Sequence, residues 1–280
     1  NTQHEIVIIE MGANHQKEIE FLCNIAQPTH GAITNIGSAH LEGFGNIQGI
    51  INTKNELFQF INKNKGHLFT NSDDELLMEL ANGIEQTTYG KTGDIKGKIE
   101  SSTPFLSINY LDSTISSQLI GNFQFSNILL AICIGQYFNI STQNIKNSIQ
   151  EYIPTNNRSQ LIKTNNNTLI LDAYNANPSS MQAMLISFSE QEYKNKLCIL
   201  GDMLELGKDS EKEHKEIISL CKKLNLDCYY IGKEFKKVNQ ESFNNRKHFE
   251  EELKQERIDN KTILLKGSRG IGLEKLVELL

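Results

Sequence analysis

Apolar runs of strand length alternate with amphipathic runs of helix length along nearly the whole chain. That alternation limits the fold more than any other feature. "HEIVIIEMG" (4–12) is a continuous apolar run, the pattern of a buried parallel strand, and "QKEIEFLCNIAQ" after it has helical spacing. "HGAITNIG" and "HLFTNS" read as further strands, and "IQGIINTKNELFQFI" and "DELLMELAN" as helices. Strand and helix in turn imply a sheet with crossover helices, an α/β fold. Between 95 and 120 the texture changes to alternating residues with turn signals, which predicts antiparallel strands. Two helical stretches, "FSNILLAICIGQYF" and "TQNIKNSIQEYI", close this first unit.

"IPTNN" (153–157) breaks the helical pattern, so a domain boundary is expected there, with domains at 1–154 and 155–280. Beyond it the alternation resumes. "TLILDAYN", "KLCILGDML", "CYYIG" and "TILLKGSRG" each precede a helical stretch, as in a Rossmann-like doubly wound sheet. "TNNNT" (164–168) reads as a polar turn between two strands.

Composition excludes several classes. No run of 18 apolar residues spans a membrane, and no basic segment followed by an apolar one marks a secretory signal. A net charge of −6 leaves no electrostatic footprint for nucleic acid. Cys23, Cys133, Cys198, Cys221 and Cys228 form no CxxC pair and read as reduced, mostly buried thiols of a cytoplasmic protein.

Ligands of open α/β sheets sit beyond the carboxyl ends of strands. Glu10 and His40 each follow a strand-like run, and a carboxylate with an imidazole there can share a divalent cation. The same spacing also suits a helix-capping Glu10 and a plain loop histidine at His40. "GSRGIG" (267–272) has the look of a dinucleotide loop, but that fingerprint needs a βαβ unit after it, and only eight residues follow Gly272.

Seven segments in order, "EMGANHQKEIEFL", "TNIGSAHLEGFG", "NTKNELF", "NNRSQ", "LDAYNANPSSM", "LGDMLELG" and "LLKGSRGIGLEKL", resemble the Mur ligases. These are the ATP-dependent amide ligases of peptidoglycan synthesis. "YNANP" and "NIGSAHLEGFG" resemble the member that joins D-alanyl-D-alanine to UDP-N-acetylmuramoyl-tripeptide through an acyl phosphate. The resemblance implies the family's central ATP-binding domain followed by its Rossmann-like C-terminal domain, acting as a cytoplasmic monomer with ATP and Mg²⁺. Glu10, His40 and Lys54 match the magnesium ligands, Lys54 as a carbamate, with the three expected to converge on one cleft face. Lysine readily loses its proton when desolvated, which carbamylation requires. Asn127 matches an adenine contact, with Gln124 where the family usually carries an asparagine. Arg158 matches a phosphate-binding arginine after the linker, and Asp172 a ribose-binding carboxylate. Asn175, Asn177, Lys266, Ser268 and Arg269 are expected nucleotide contacts, and Arg158, Asp172 and Asn127 should line an interdomain crevice. The family's G-x-x-x-x-G-K-[ST] phosphate loop occurs nowhere in the sequence, so the expected fold is a central domain lacking that loop, part of a longer ligase. Alternatives are a Mur-type ligase for another amino acid, and an inactive binding protein that keeps the fold.

Overall fold

The computed structural model describes residues 4–37 and 41–280. Its N-terminal half is built on a four-stranded parallel sheet in sequential order: β1 (His30–Ala32), β2 (His67–Asn71), β3 (Gln86–Gly90) and β4 (Ile95–Lys96). Helix α1 (Glu18–Ala26) precedes β1, α2 (Leu41–Phe44) and α3 (Ile47–Lys63) connect β1 to β2, and α4 (Glu75–Leu80) connects β2 to β3. Asn46 starts α3, its side chain accepting from the Gly49 N–H at 2.9 Å. Ile50, Phe58 and Ile61 then bury on the face that α3 turns inward.

An antiparallel meander of β5 (Lys98–Ser101), β6 (Ser107–Tyr110) and β7 (Ser113–Ser116) follows. It packs with α5 (Gln124–Tyr137) and α6 (Thr142–Glu151) around Leu106, Ile108, Ile115, Leu129 and Ile132. The antiparallel reading therefore holds for 98–116, whereas Ile95–Lys96 joins the parallel sheet.

The C-terminal half is a five-stranded sheet. Its strands are β8 (Gln160–Lys163), β9 (Thr168–Asp172), β10 (Lys196–Gly201), β11 (Cys228–Ile231) and β12 (Thr262–Lys266), in the order β11-β10-β12-β9-β8. Only β8 runs antiparallel, through the expected turn at 164–167. Helices α7 (Pro178–Glu190), α8 (Ser210–Lys223), α9 (Lys233–Val238) and α10 (Arg246–Gln255) flank the sheet, and the last turns, Leu273–Leu279, are 3₁₀ rather than α. Gly267 has a steric reason unrelated to dinucleotides: a Cβ there would sit 2.8 Å from the Gly201 Cα on the adjacent strand end.

The halves touch. Ile120 and Phe105 pack into the core beside α7, and Gln191 donates to the Ser102 carbonyl at 2.5 Å. α2 lies against the turn Gly207–Asp209.

One expectation fails. Residues 4–12 form no strand, and Ile6, Val7, Ile8 and Ile9 are exposed, Ile8 by 83%. An apolar run becomes a strand only when a neighbouring edge supplies its hydrogen-bond ladder, and among the described residues none pairs with this one.

Candidate functional site

Register sets the centre of the site. Lys266 and Asp172 are paired positions at the carboxyl ends of the adjacent strands β12 and β9. The buried Lys266 Nζ donates to Asp172 Oδ2 at 2.5 Å. Asp172 Oδ1 accepts from the Ser159 backbone N–H at 3.0 Å and from its hydroxyl at 3.3 Å. Lys266 thus faces a carboxylate rather than an open pocket. Asp172 is 15% exposed, and its Oδ2 keeps an unused acceptor position.

The linker is bent around Arg158. Asn156, Asn157 and Ser159 all adopt left-handed backbone, at φ of 57°, 59° and 49°. Asparagine tolerates that region; serine does so at a cost. The Tyr174 N–H donates to the Asn157 carbonyl at 3.2 Å, so the linker is fastened to the β9–α7 loop on either side of Arg158. The Arg158 guanidinium stands 3.9 Å from the centre of the Tyr174 ring, and that of Arg269 stands 5.7 Å from it. Both are within the range of cation–π attraction.

Asn175 accepts from the Ala176 N–H at 2.8 Å. Asn177 caps α7 by accepting from the Ser180 N–H at 2.9 Å, in a capping box with the Ser180 hydroxyl and with Pro178 at the first helical position. Buried Ser268 donates to the Ala176 carbonyl at 3.3 Å and accepts from the Leu204 N–H at 2.9 Å, tying three strand-end loops together. These are structural duties, and they are compatible with ligand contacts only through atoms left over. The site borders the N-terminal half: a Cβ at Gly37 would lie 3.5 Å from the Ser179 hydroxyl.

The expected contacts of the N-terminal half are less assembled. Asn127, on α5, is exposed, and its amide donates to Gln124 Oε1 at 2.8 Å, so the two adenine-contact candidates hold each other. Lys54 lies half-buried on α3, and burial pushes its ammonium below the ordinary lysine range, as carbamylation needs. Glu10 is exposed in the unpaired segment, and His40 lies outside the described residues. Among the described residues no cluster of three His, Cys, Asp or Glu side chains could hold a metal.

Two features escaped the sequence reading. Tyr174 carries both arginines. Beneath the turn after β10, His214 and Asp202 are buried 3.7 Å apart. His214 Nε2 accepts from the Met203 N–H at 3.1 Å, and Nδ1 donates to the Ser210 carbonyl at 2.7 Å, so the ring is neutral. Burial depresses its pKa. Burial also raises that of Asp202, against the opposing effect of two N–H groups at the start of α9. The signal was present: His214, Ile217 and Cys221 recur at helical spacing on the buried face of α8.

Comparison with known proteins matches residues 1–135 to the Mur ligase middle domain and 157–269 to the Mur ligase, glutamate ligase domain. The UDP-N-acetylmuramoyl-tripeptide--D-alanyl-D-alanine ligase of Bacillus subtilis is 32% identical over 98% of this chain and 64% of its own length. That of Buchnera aphidicola is 31% identical over 100% and 65%. The chain thus spans just under two thirds of these relatives. Among solved structures, MurF from Acinetobacter baumannii superposes with a TM-score of 0.85 at 25% identity, covering 99% of this chain and 65% of that one. The MurF ligase from Thermotoga maritima, solved with ADP, shares the fold at a TM-score of 0.80 and 23% identity, covering 96% and 65%.

Proposed function

The chain belongs to the Mur ligase family, and from that premise we propose that it is the central and C-terminal part, residues 1–154 and 155–280, of an ATP-dependent ligase. The reaction joins D-alanyl-D-alanine to UDP-N-acetylmuramoyl-tripeptide in the cytoplasm, as a step of peptidoglycan synthesis. Its relatives carry that activity in their names. The observation that carries the reading is the gathering of Arg158, Asp172, Tyr174, Ser268 and Arg269 at one strand-end edge bordering the other half. Among the described residues neither arginine pairs with a carboxylate, so both forks are open to an anion.

In this reading ATP lies between the halves. Asn127 contacts the adenine, with Gln124 fixing its amide. Asp172 Oδ2 accepts from a ribose hydroxyl, while Lys266 and Ser159 hold the carboxylate in place. Arg158 and Arg269 donate to phosphate oxygens and steady the charge that develops as phosphate passes to the tripeptide carboxylate. The D-alanyl-D-alanine amine then displaces phosphate from the acyl phosphate. Asn175 and Asn177 keep the β9–α7 loop in shape through their own backbone bonds.

Magnesium fits the donor chemistry. It is commonly held by one or two carboxylates, with waters and substrate phosphates completing the shell, so a three-residue protein cluster is not required. Glu10 and the carbamate of Lys54 would be such oxygen donors, with His40 as the third expected ligand. When bound, the ion neutralises phosphate charge.

The test is a ligase assay on the full-length gene product that carries these residues. UDP-N-acetylmuramoyl-tripeptide, D-alanyl-D-alanine and ATP should give pentapeptide product and one phosphate each. Lys54→Ala should abolish most turnover without rescue by bicarbonate, and should lose the carbamate signal that isotope-labelled bicarbonate gives with the parent protein. Turnover with a different amino acid substrate would point to another Mur-type ligase. No ATP turnover at all would point to a binding protein.

A further inference from the structure

We propose that Tyr174 is a positioning residue whose ring holds Arg158 and Arg269 together as one anion clamp for the phosphates of the bound nucleotide. The inference rests on the ATP-ligase reading above and goes beyond it, since it gives a role to a side chain to which that reading assigns none.

Two guanidinium groups that share one small region repel each other and would spread into solvent unless something holds them. The negative face of an aromatic ring attracts such cations. Both guanidinium carbons lie within that range of a single ring, at 3.9 Å and 5.7 Å. The arginines come from places far apart in sequence, one from the linker and one from the turn after β12, and the ring is what their two side chains share.

The backbone that carries the ring is itself fixed. The Tyr174 N–H is fastened to the Asn157 carbonyl, and Asp172, two residues before it, receives the Ser159 N–H. Three left-handed residues bend the linker so that Arg158 lies over the ring. Left-handed backbone at non-glycine positions persists where surrounding contacts hold it, and it clusters at working sites. Neighbouring charge is arranged to match. Asp172, the nearest carboxylate in this loop, is taken up by Lys266 and Ser159. The arginines therefore keep their forks for an incoming anion, and the anion in turn relieves their mutual repulsion. Holding both forks in advance lowers the ordering cost of binding.

The experiment uses the 280-residue chain and two simple probes at low ionic strength. Inorganic tripolyphosphate reads the clamp alone, and adenosine reads the base and ribose contacts alone. Tyr174→Phe keeps the ring and should bind tripolyphosphate within twofold of the parent. Tyr174→Leu keeps bulk but no ring, and should weaken tripolyphosphate about five- to tenfold, with adenosine binding and the unfolding midpoint unchanged. In an Arg158→Ala, Arg269→Ala background, Tyr174→Leu should have no further effect, because the ring acts through the arginines. The clamp is overturned if Tyr174→Leu leaves tripolyphosphate binding intact while the arginine changes weaken it. It is equally overturned if the leucine variant loses adenosine instead, which would make the ring a base-stacking platform. If tripolyphosphate does not bind the parent chain at all, or binds regardless of the arginines, the phosphate crevice itself is wrong, and the clamp with it.

Discussion

At the scale of single residues, the polar groups that count most are those whose hydrogen bonds are already complete. Lys266 looked in the sequence like a free cation for a ligand, and in the fold it serves Asp172. Burial explains the difference: a lysine with so little exposure needs a counter-charge within reach, and register supplies one on the next strand. His214 is buried as deeply, but its ring is held neutral by its two hydrogen bonds. Its folded pKa is depressed by burial, so the unfolded chain takes up the proton first as pH falls. Stability is then present above about pH 6.5 and lost on acidification. Asp202, whose pKa is raised, contributes the reverse slope, starting from the ordinary carboxylate range and running upward. Glu234 and Lys237 sit close enough to act on the imidazole too, and their charges oppose each other. We expect the unfolding free energy to fall between pH 7 and pH 5, and His214→Gln to flatten that slope by up to about 1.4 kcal/mol per pH unit. Glutamine can accept from Met203 and donate to Ser210, so the comparison isolates the charge. Urea unfolding across that range measures it, and parallel slopes for the two proteins would show that His214 is not the titrating group.

At the scale of elements, legibility followed the neighbours. Strands β9, β10 and β11 were readable because each is a short apolar run that ends in turn residues and is followed by a helix. The helix start at Asn177-Pro178 was readable for a local reason, since cap and proline act within a few residues. Residues 4–12 were misread because apolar composition reports what a segment would bury, not whether an edge is there to pair with it. β3 was overlooked because "QTTYG" is short and largely polar, and it becomes a strand through pairing with β2 and β4. Of the site, the strand-end residues were visible as motifs, whereas the Tyr174 stack and the Asn127–Gln124 bond depend on geometry that no spacing encodes. The cap on α7 can be tested by itself. Met181, Met184, Leu185 and Phe188 anchor the helix in the core, so Asn177→Ala should leave the fold intact and cost about 1 kcal/mol of stability. Asn177→Ser should recover most of it. Denaturant midpoints that do not move in the alanine variant would mean that the Ser180 hydroxyl alone satisfies the helix start.

At the scale of the whole molecule, the question is how tightly these 280 residues hold a nucleotide by themselves. In phosphate-loop folds, backbone N–H groups around the phosphates supply a large share of binding, and the sequence contains no G-x-x-x-x-G-K-[ST] segment to supply them. What the chain offers is a few side chains spread over two halves: Asn127 on one, Arg158, Asp172 and Arg269 on the other. Several of these are already engaged, as Asp172 is with Lys266 and Asn127 with Gln124, so each new bond to a ligand replaces or shares an existing one. A net contribution of about 0.5–1.5 kcal/mol per neutral hydrogen bond, and up to roughly 3 where charge is involved, must also cover the freedom lost in fixing the nucleotide. The contacts between the halves, Gln191 to Ser102 and Ile120 in the shared core, favour a closed arrangement but contribute nothing directly to the phosphates. We therefore expect Mg²⁺-ATP to bind this chain with at best millimolar affinity, about −4 kcal/mol, and expect no ligase turnover from it. Calorimetric titration decides the matter. Micromolar binding would require a ring of phosphate donors that neither the arginine pair nor the strand-end loops provide, and would redirect attention to the N–H groups at the start of α7.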